Sequence, residues 1–173
     1  GCTRAIKEAC KYKKIVVVYA GYPLACSSKK FTNNGHQATH RIFSCPYIDV
    51  LATPITYSTR KGGAAGMNVN PFNGSSYLHN KIIWHENDIR THLSTLRGRA
   101  SGLAESITIF ERGFGNSLTR NGGVWWYQFD NAWFHQEDIM RTVAKIQKAA
   151  EKAVNTDRRS AAEVAFLYDE KSL

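Results

Sequence analysis

"KIIWHEND", residues 81–88, runs an apolar strand signal straight into a carboxylate. Ile82, Ile83 and Trp84 are β-prone residues, and His85, Glu86, Asn87 and Asp88 follow with no glycine or proline between. Such a stretch delivers Glu86 at a strand's C-terminal end, with a second carboxylate, Asp88, two residues on.

Three other strand signals lie around it. "KIVVVYAGY" carries Ile15, Val16, Val17, Val18 and Tyr19 as a continuous apolar run, which predicts a strand buried on both faces, as in a parallel sheet. A basic helix precedes it, with Ile6 and Cys10 on one face. "YIDVLATPITYS" is strand-like at Val50–Ala52 and is interrupted by Pro54. "GVWWYQFD", residues 123–130, is rich in aromatics and again ends in a carboxylate.

Helical patterns fill the gaps. "LAESITIFERGFGNSLTR" sets Ile107, Phe110, Phe114 and Leu118 three and four apart, although Gly113 and Gly115 weaken it. "EDIMRTVAKIQKAAEKAV" aligns Ile139, Val143, Ile146 and Ala150, with Glu137 and Asp138 in its first turn as the helix dipole favours.

Alternating strands and helices predict an α/β fold with right-handed crossovers. The glycine fingerprint of a dinucleotide fold is absent after the first strand, where the chain reads "YAGYPLACSS". Polar and aromatic residues gather instead at strand ends: Tyr22, Tyr57 with Arg60, Glu86 with Asp88, Asp130 with Trp133. That is the layout of a barrel's catalytic face. Four strands cannot close an eight-stranded barrel, so the expectation is a partial (β/α)8 barrel, open-edged, with about four parallel strands and their helices. Residues 1–157 would form this half-barrel, and 158–173, with a strand signal at Ala165–Tyr168, would lead into a following domain.

Composition narrows the function classes. The chain has 173 residues and 43% hydrophobic content, enough for one domain with its own core. No apolar run approaches the roughly 18–20 residues that cross a bilayer, and no membrane partner is expected. The opening "GCTRAIKEACKYKK" has neither an initiator Met nor a leader pattern, and reads as a piece whose beginning lies elsewhere. The net charge of +9 raises nucleic acid as a partner, but the basic residues are scattered and no nucleic-acid-binding signature accompanies them. No nucleic-acid partner is expected. Cys2, Cys10, Cys26 and Cys45 form no C-x-x-C pair, and His79, His85 and His92 fit no common zinc spacing.

A strand-end glutamate can serve as nucleophile, general base, metal ligand or hydrogen-bond acceptor. Arg90, two residues beyond Asp88, would favour an ionised carboxylate, the form a covalent glycosidase nucleophile needs. Tyr57, Trp84, Trp125, Trp126, Tyr127 and Trp133 supply the aromatic faces that sugars use. Trp125 and Trp126 point to opposite faces of their strand, so one of them packs against helices.

The runs "LATPITYSTRKGGAAG", "SSYLHNKIIWHENDIRTHL", "FERGFGNSLTRNGGVWWYQFDNAWF" and "DRRSAAEVAFLYDEKSL" together resemble the C-terminal half of the catalytic barrel of β-galactosidase-like glycoside hydrolases, near family 42. The likeness runs from Ile15 onward, and its most specific part is K-x-x-x-x-E-x-D-x-R-T: Lys81, Glu86, Asp88, Arg90 and Thr91. The resemblance implies that the four strands are the fifth to the eighth and that a flavodoxin-like domain follows. It implies Glu86 as nucleophile, with Asp88 and Arg90 orienting or neutralising charge around it. Tyr57 would hydrogen-bond the nucleophile or the sugar, and Trp126, Asp130 and Trp133 would touch the sugar. It implies a carbohydrate substrate, no cofactor, and a parent that can be a homo-oligomer. The second carboxyl, about 5–5.5 Å from the nucleophile in a retaining enzyme, would come from the fourth strand as Asn-Glu. No strand-end Asn-Glu occurs here, so no hydrolytic turnover is expected of this chain by itself. The alternative is a non-catalytic carbohydrate-binding α/β module.

Overall fold

The computed structural model describes residues 1–20, 38–55, 59–64, 73–129, 132–165 and 167. The elements in chain order are α1 (Cys2–Ala9), β1 (Val17–Tyr19), α2 (Thr39–Phe43), β2 (Val50–Pro54), α3 (Asn73–Leu78), β3 (Ile82–Asn87), α4 (Leu103–Thr119), β4 (Gly123–Trp126) and α5 (Glu137–Val154). The four strands form one open, all-parallel sheet in the order β1-β2-β3-β4. The expected α/β class and parallel strands are therefore present.

Register follows from the ladder. Val17 pairs with Val50, Val18 with Leu51 and Tyr19 with Ala52. The Ile82 N–H donates to the Asp49 carbonyl at 3.1 Å and the Ile55 N–H to the Glu86 carbonyl at 3.2 Å, which sets Ile82 opposite Val50 and Glu86 opposite Pro54. The Tyr127 N–H donates to the Asn87 carbonyl at 3.3 Å, so Asn87 stands opposite Trp126 and Glu86 opposite Trp125. Residues that stand opposite share a sheet face.

The chain divides into two compact units. The first comprises Gly1–Thr53, Asn70–Trp84 and Arg159–Leu173. Its core is Ala20, Phe43, Ile48, Leu51 and Ile83, with Val18, Ile42 and Cys45 packed against it. Alternation leaves the other side of the same strands open: Val17, Tyr19, Ile82 and Trp84 are exposed. The strand predicted to be buried on both faces, β1, is thus buried on one only. The expected apolar stripe of α1 is also revised, because Ile6 is exposed and Lys7 is buried. The aliphatic stem of Lys7 goes inside because its Nζ reaches Asp49 Oδ2 at 2.5 Å and the Lys14 carbonyl at 2.8 Å. Burial pushes the Asp49 carboxyl up, but the Lys7 ammonium, the Val16 N–H and nearby Lys81 outweigh it and hold the group below its ordinary value.

The second unit comprises Pro54–Val69 and His85–Arg158. Ile55, Ile89, Ala100, Ile109, Phe110, Ile139 and Ile146 form its core, with Leu93, Leu103, Phe114, Trp126, Phe134 and Val143 against it. On α5, Ile139 and Ile146 of the expected stripe are buried and Val143 and Ala150 half-buried, while Thr142, outside it, is buried too. On α4 the stripe is rotated from the expected face: Ser106, Ile109, Phe110, Gly113 and Ser117 are buried, whereas Ile107, Phe114 and Leu118 are half-buried. Ser106 and Ser117 turn inward as hydrogen-bond partners of His92 and His85, which hydrophobic spacing does not mark. In the expected following segment, the described residues from 159 to 165 have no regular element and are exposed. No helix among the described residues is long and apolar enough to cross a membrane.

Candidate active site

β3 alternates as its sequence requires. Ile83, His85 and Asn87 point to the buried side, and Ile82, Trp84 and Glu86 to the opposite side. Glu86 therefore sits at the C-terminal end of a parallel strand, 9% exposed, on the side where Ile82 and Trp84 are open.

Past Asn87 the strand ends, and with it the alternation that would keep Asp88 and Arg90 together. Asp88 is buried and pairs with Arg60: Nη1 lies 2.5 Å from Oδ2 and 2.9 Å from the Asp88 carbonyl. Arg90 instead donates to the Arg97 carbonyl, and its own carbonyl accepts from the Ala100 N–H at 2.9 Å. Arg90 thus ties the loop that follows β3, and the cation beside Asp88 is Arg60.

Arg60 belongs to the loop after β2, and α4 holds that loop. Arg112 Nη2 lies 3.2 Å from the Thr59 carbonyl, 2.8 Å from that of Arg60 and 2.9 Å from that of Lys61, while Nη1 reaches the Ala64 carbonyl at 3.3 Å. One helical stretch upstream, Glu105 accepts from the Ser101 hydroxyl at 2.5 Å and the Ser101 N–H at 2.6 Å, and also from the Gly62 N–H. These donors, the Ser101 hydroxyl foremost, hold its carboxyl below the ordinary value. A Cβ at Gly62 would lie 2.0 Å from Glu105 Oε1, so a larger residue there would push the Glu105 carboxylate off the Gly62 N–H.

The tryptophans sort by register. Trp126, the expected sugar contact, lies on the buried side with Asn87; its ring centroid is 5.6 Å from that of Phe110. Trp125 takes the opposite side, the one Glu86 occupies. Its ring leads a ladder of edge contacts to Tyr127 at 5.8 Å and on to Phe129 at 5.2 Å. Trp125 and Tyr127 are half-buried, as Trp126 is, and the ladder ends in Phe129, which is 73% exposed. Sequence alternation put Trp125 and Trp126 on opposite sides without telling which side the helices cover. Trp133 is fully buried against Phe134, and its carbonyl accepts from the Thr91 hydroxyl at 2.5 Å. Trp133 thus braces the loop after β3 and presents no open ring face. Tyr22, Tyr57 and Asp130 lie outside the described residues.

On the buried side, His85 Nδ1 is 2.7 Å from Ser117 Oγ, and Nε2 has no hydrogen-bond partner among the described residues. Burial, with help from Arg120, drives the His85 pKa down to about 4, so the ring is neutral at pH 7. His92 contacts Ser106 Oγ through Nδ1 at 2.9 Å, and no group of three metal-ligating side chains occurs among the described residues.

Two carboxylates thus follow one another at the end of β3 in different settings, both buried: Glu86 on the side opposite His85 and Asn87, and Asp88 paired with an arginine from the loop after β2. Such a pair can offer one oxygen nucleophile or acceptor and one fixed dipole. No family model, curated protein or solved structure matches the chain.

Proposed function

We propose that this chain is the nucleophile-bearing part of a retaining glycoside hydrolase of the β-galactosidase-like kind, in which β1 to β4 serve as the fifth to eighth strands of a (β/α)8 barrel. The observation that carries the proposal is Glu86 at the C-terminal end of a parallel strand, on the same sheet side as Trp125 one strand over. A sugar ring on that side would have an aromatic face and a carboxylate within reach.

In this mechanism a Glu86 oxygen attacks the anomeric carbon, and the bond to the leaving oxygen breaks with its electron pair going to the leaving group. The transition state is oxocarbenium-like, and a covalent glycosyl ester on Glu86 results. Arg60 and Asp88 keep the strand end that carries Glu86 in place. Water, activated by a carboxyl from a strand outside this chain, would release the sugar with retained configuration. Tyr57 and Asp130 would supply hydrogen bonds to the sugar hydroxyls. The chemistry requires no cofactor.

The test removes the need for the absent acid. A dinitrophenyl β-galactoside has a leaving group that departs unprotonated, and azide replaces the base-activated water. The protein should then make β-galactosyl azide, and Glu86→Ala should make none. An α-configured azide from the unaltered protein, or as much β-azide from Glu86→Ala as from the unaltered protein, would overturn the nucleophile assignment; an α-azide from Glu86→Ala, formed by direct displacement, supports it. Sugar binding with no product would instead favour a carbohydrate-binding module.

A further inference from the structure

We propose that Arg112, on α4, is a positioning residue for the strand-end site: by gripping the loop 59–64 it aims the Arg60 guanidinium at Asp88. The inference deepens the glycosidase proposal and rests on it for its chemical consequence, but its structural part stands separately.

The contacts are unusual for an arginine on a helix. Guanidinium groups commonly meet carboxylates, yet Arg112 donates to four successive or near-successive backbone carbonyls: Thr59, Arg60, Lys61 and Ala64. Four carbonyls converging on one planar cation fix the loop's course, because each would otherwise turn to water. Gly63, with φ +68°, makes the turn that lets the Ala64 carbonyl come back to the same guanidinium. Glu105 secures the opposite polarity, taking the Gly62 N–H. A cation and an anion seven residues apart on α4 therefore hold the acceptors and a donor of one short loop.

That loop carries a single side chain into the protein's interior. Arg60 is 7% exposed, and it meets both the carboxylate and the carbonyl of Asp88, two residues from Glu86. Arg112 hydrogen-bonds the loop carbonyls rather than Asp88, and acts through Arg60. A planar five-donor fork is needed to serve the four carbonyls, which a lysine ammonium cannot reproduce.

The test uses two readouts on the same protein. The first is the side-chain nitrogen NMR signature of Arg60, assigned by its loss in Arg60→Lys. A guanidinium pinned by a carboxylate and a carbonyl rotates slowly and gives resolved Nη signals. Arg112→Met, which keeps the apolar stem, should average those signals while the amide signals of Ile109, Phe110 and Ile139 stay in place. An unchanged Arg60 signature in Arg112→Met overturns the proposal. Should Arg112→Met not fold, Arg112→Lys is read the same way, and retention of the full wild-type signature there also overturns it.

The second readout is the rate at which an activated 2-fluoro-galactoside inactivates the protein. We expect Arg112→Met to slow it about tenfold or more, as displaced reacting groups do, with partial recovery in Arg112→Lys. An Arg60 signature lost with no change in inactivation rate refutes the positioning role at the site. No inactivation of the wild-type protein would count against the glycosidase proposal, and the NMR readout then still decides whether Arg112 aims Arg60.

Discussion

Arg60 and Asp88, 28 residues apart in the chain, meet as a buried ion pair at 2.5 Å, and the same guanidinium nitrogen donates to the Asp88 carbonyl at 2.9 Å. The pair joins the loop after β2 to the loop after β3, and so couples two strand ends within one unit. Both side chains are nearly free of solvent, at 8% and 5% exposure.

Removing one partner from such a pair strands the other charge in a poorly solvated place. Arg60→Met should therefore cost about 3–5 kcal/mol, and the double variant Arg60→Met with Asp88→Leu should recover much of that loss. Urea denaturation of the three proteins checks this. A single-variant loss under about 1 kcal/mol would mean the pair is more solvated than its burial implies.

Acid stability should follow His85. Its folded pKa of about 4 lies below the ordinary histidine value of 6.5, because burial disfavours the imidazolium and Arg120 repels it. The unfolded chain takes up the proton first as pH falls, so the His85 contribution is complete above pH 6.5 and is lost progressively down to about 4. The loss amounts to roughly 3 kcal/mol, by the rule of about 1.4 kcal/mol per unit. Denaturation midpoints across this window should fall in the wild-type protein and stay flatter in His85→Leu. Parallel curves would show that other groups dominate.

The two neighbouring tryptophans should behave oppositely. Trp126 packs on Phe110 in the core, so Trp126→Ala should destabilise by about 3 kcal/mol or more. Trp125 stands on the Glu86 side, so Trp125→Ala should leave stability within about 1.5 kcal/mol. It should weaken binding of methyl β-galactoside about three- to tenfold, the value of one aromatic stacking contact. Thermal melts and a sugar titration followed by NMR distinguish the two, and reversed roles would mean that sugar binds elsewhere.

Some of this architecture was legible from the residues themselves. β3 announced itself because β-branched and aromatic residues ran into polar ones without a turn, and Glu86 fell where that pattern placed it. The stripe on α5 was legible because Ile139, Val143 and Ile146 repeat at helical spacing. The face of α4 was not, since its buried stripe includes Gly113 and two serines, Ser106 and Ser117, that go inside to meet His92 and His85. Lys7 misled in the opposite sense: a charged residue went inside because Asp49 awaited it. The Arg60–Asp88 pair was hidden for a simpler reason. Proximity in sequence favoured Arg90 as the cation near Asp88, but β3 ends at Asn87, and the chain carries Arg90 away to the Arg97 carbonyl. Contacts made across the sheet's strand ends leave no local spacing to read.

The proposed role of Glu86 as nucleophile is tested most directly by the site of covalent labelling. The protein is treated with an activated 2-fluoro-galactoside, which forms the glycosyl ester but hydrolyses slowly, then digested and sequenced by tandem mass spectrometry. One galactosyl adduct per chain on Glu86, absent in Glu86→Gln, is the predicted result. An adduct on Asp88 or on any other residue, or no adduct at saturating reagent, would contradict it.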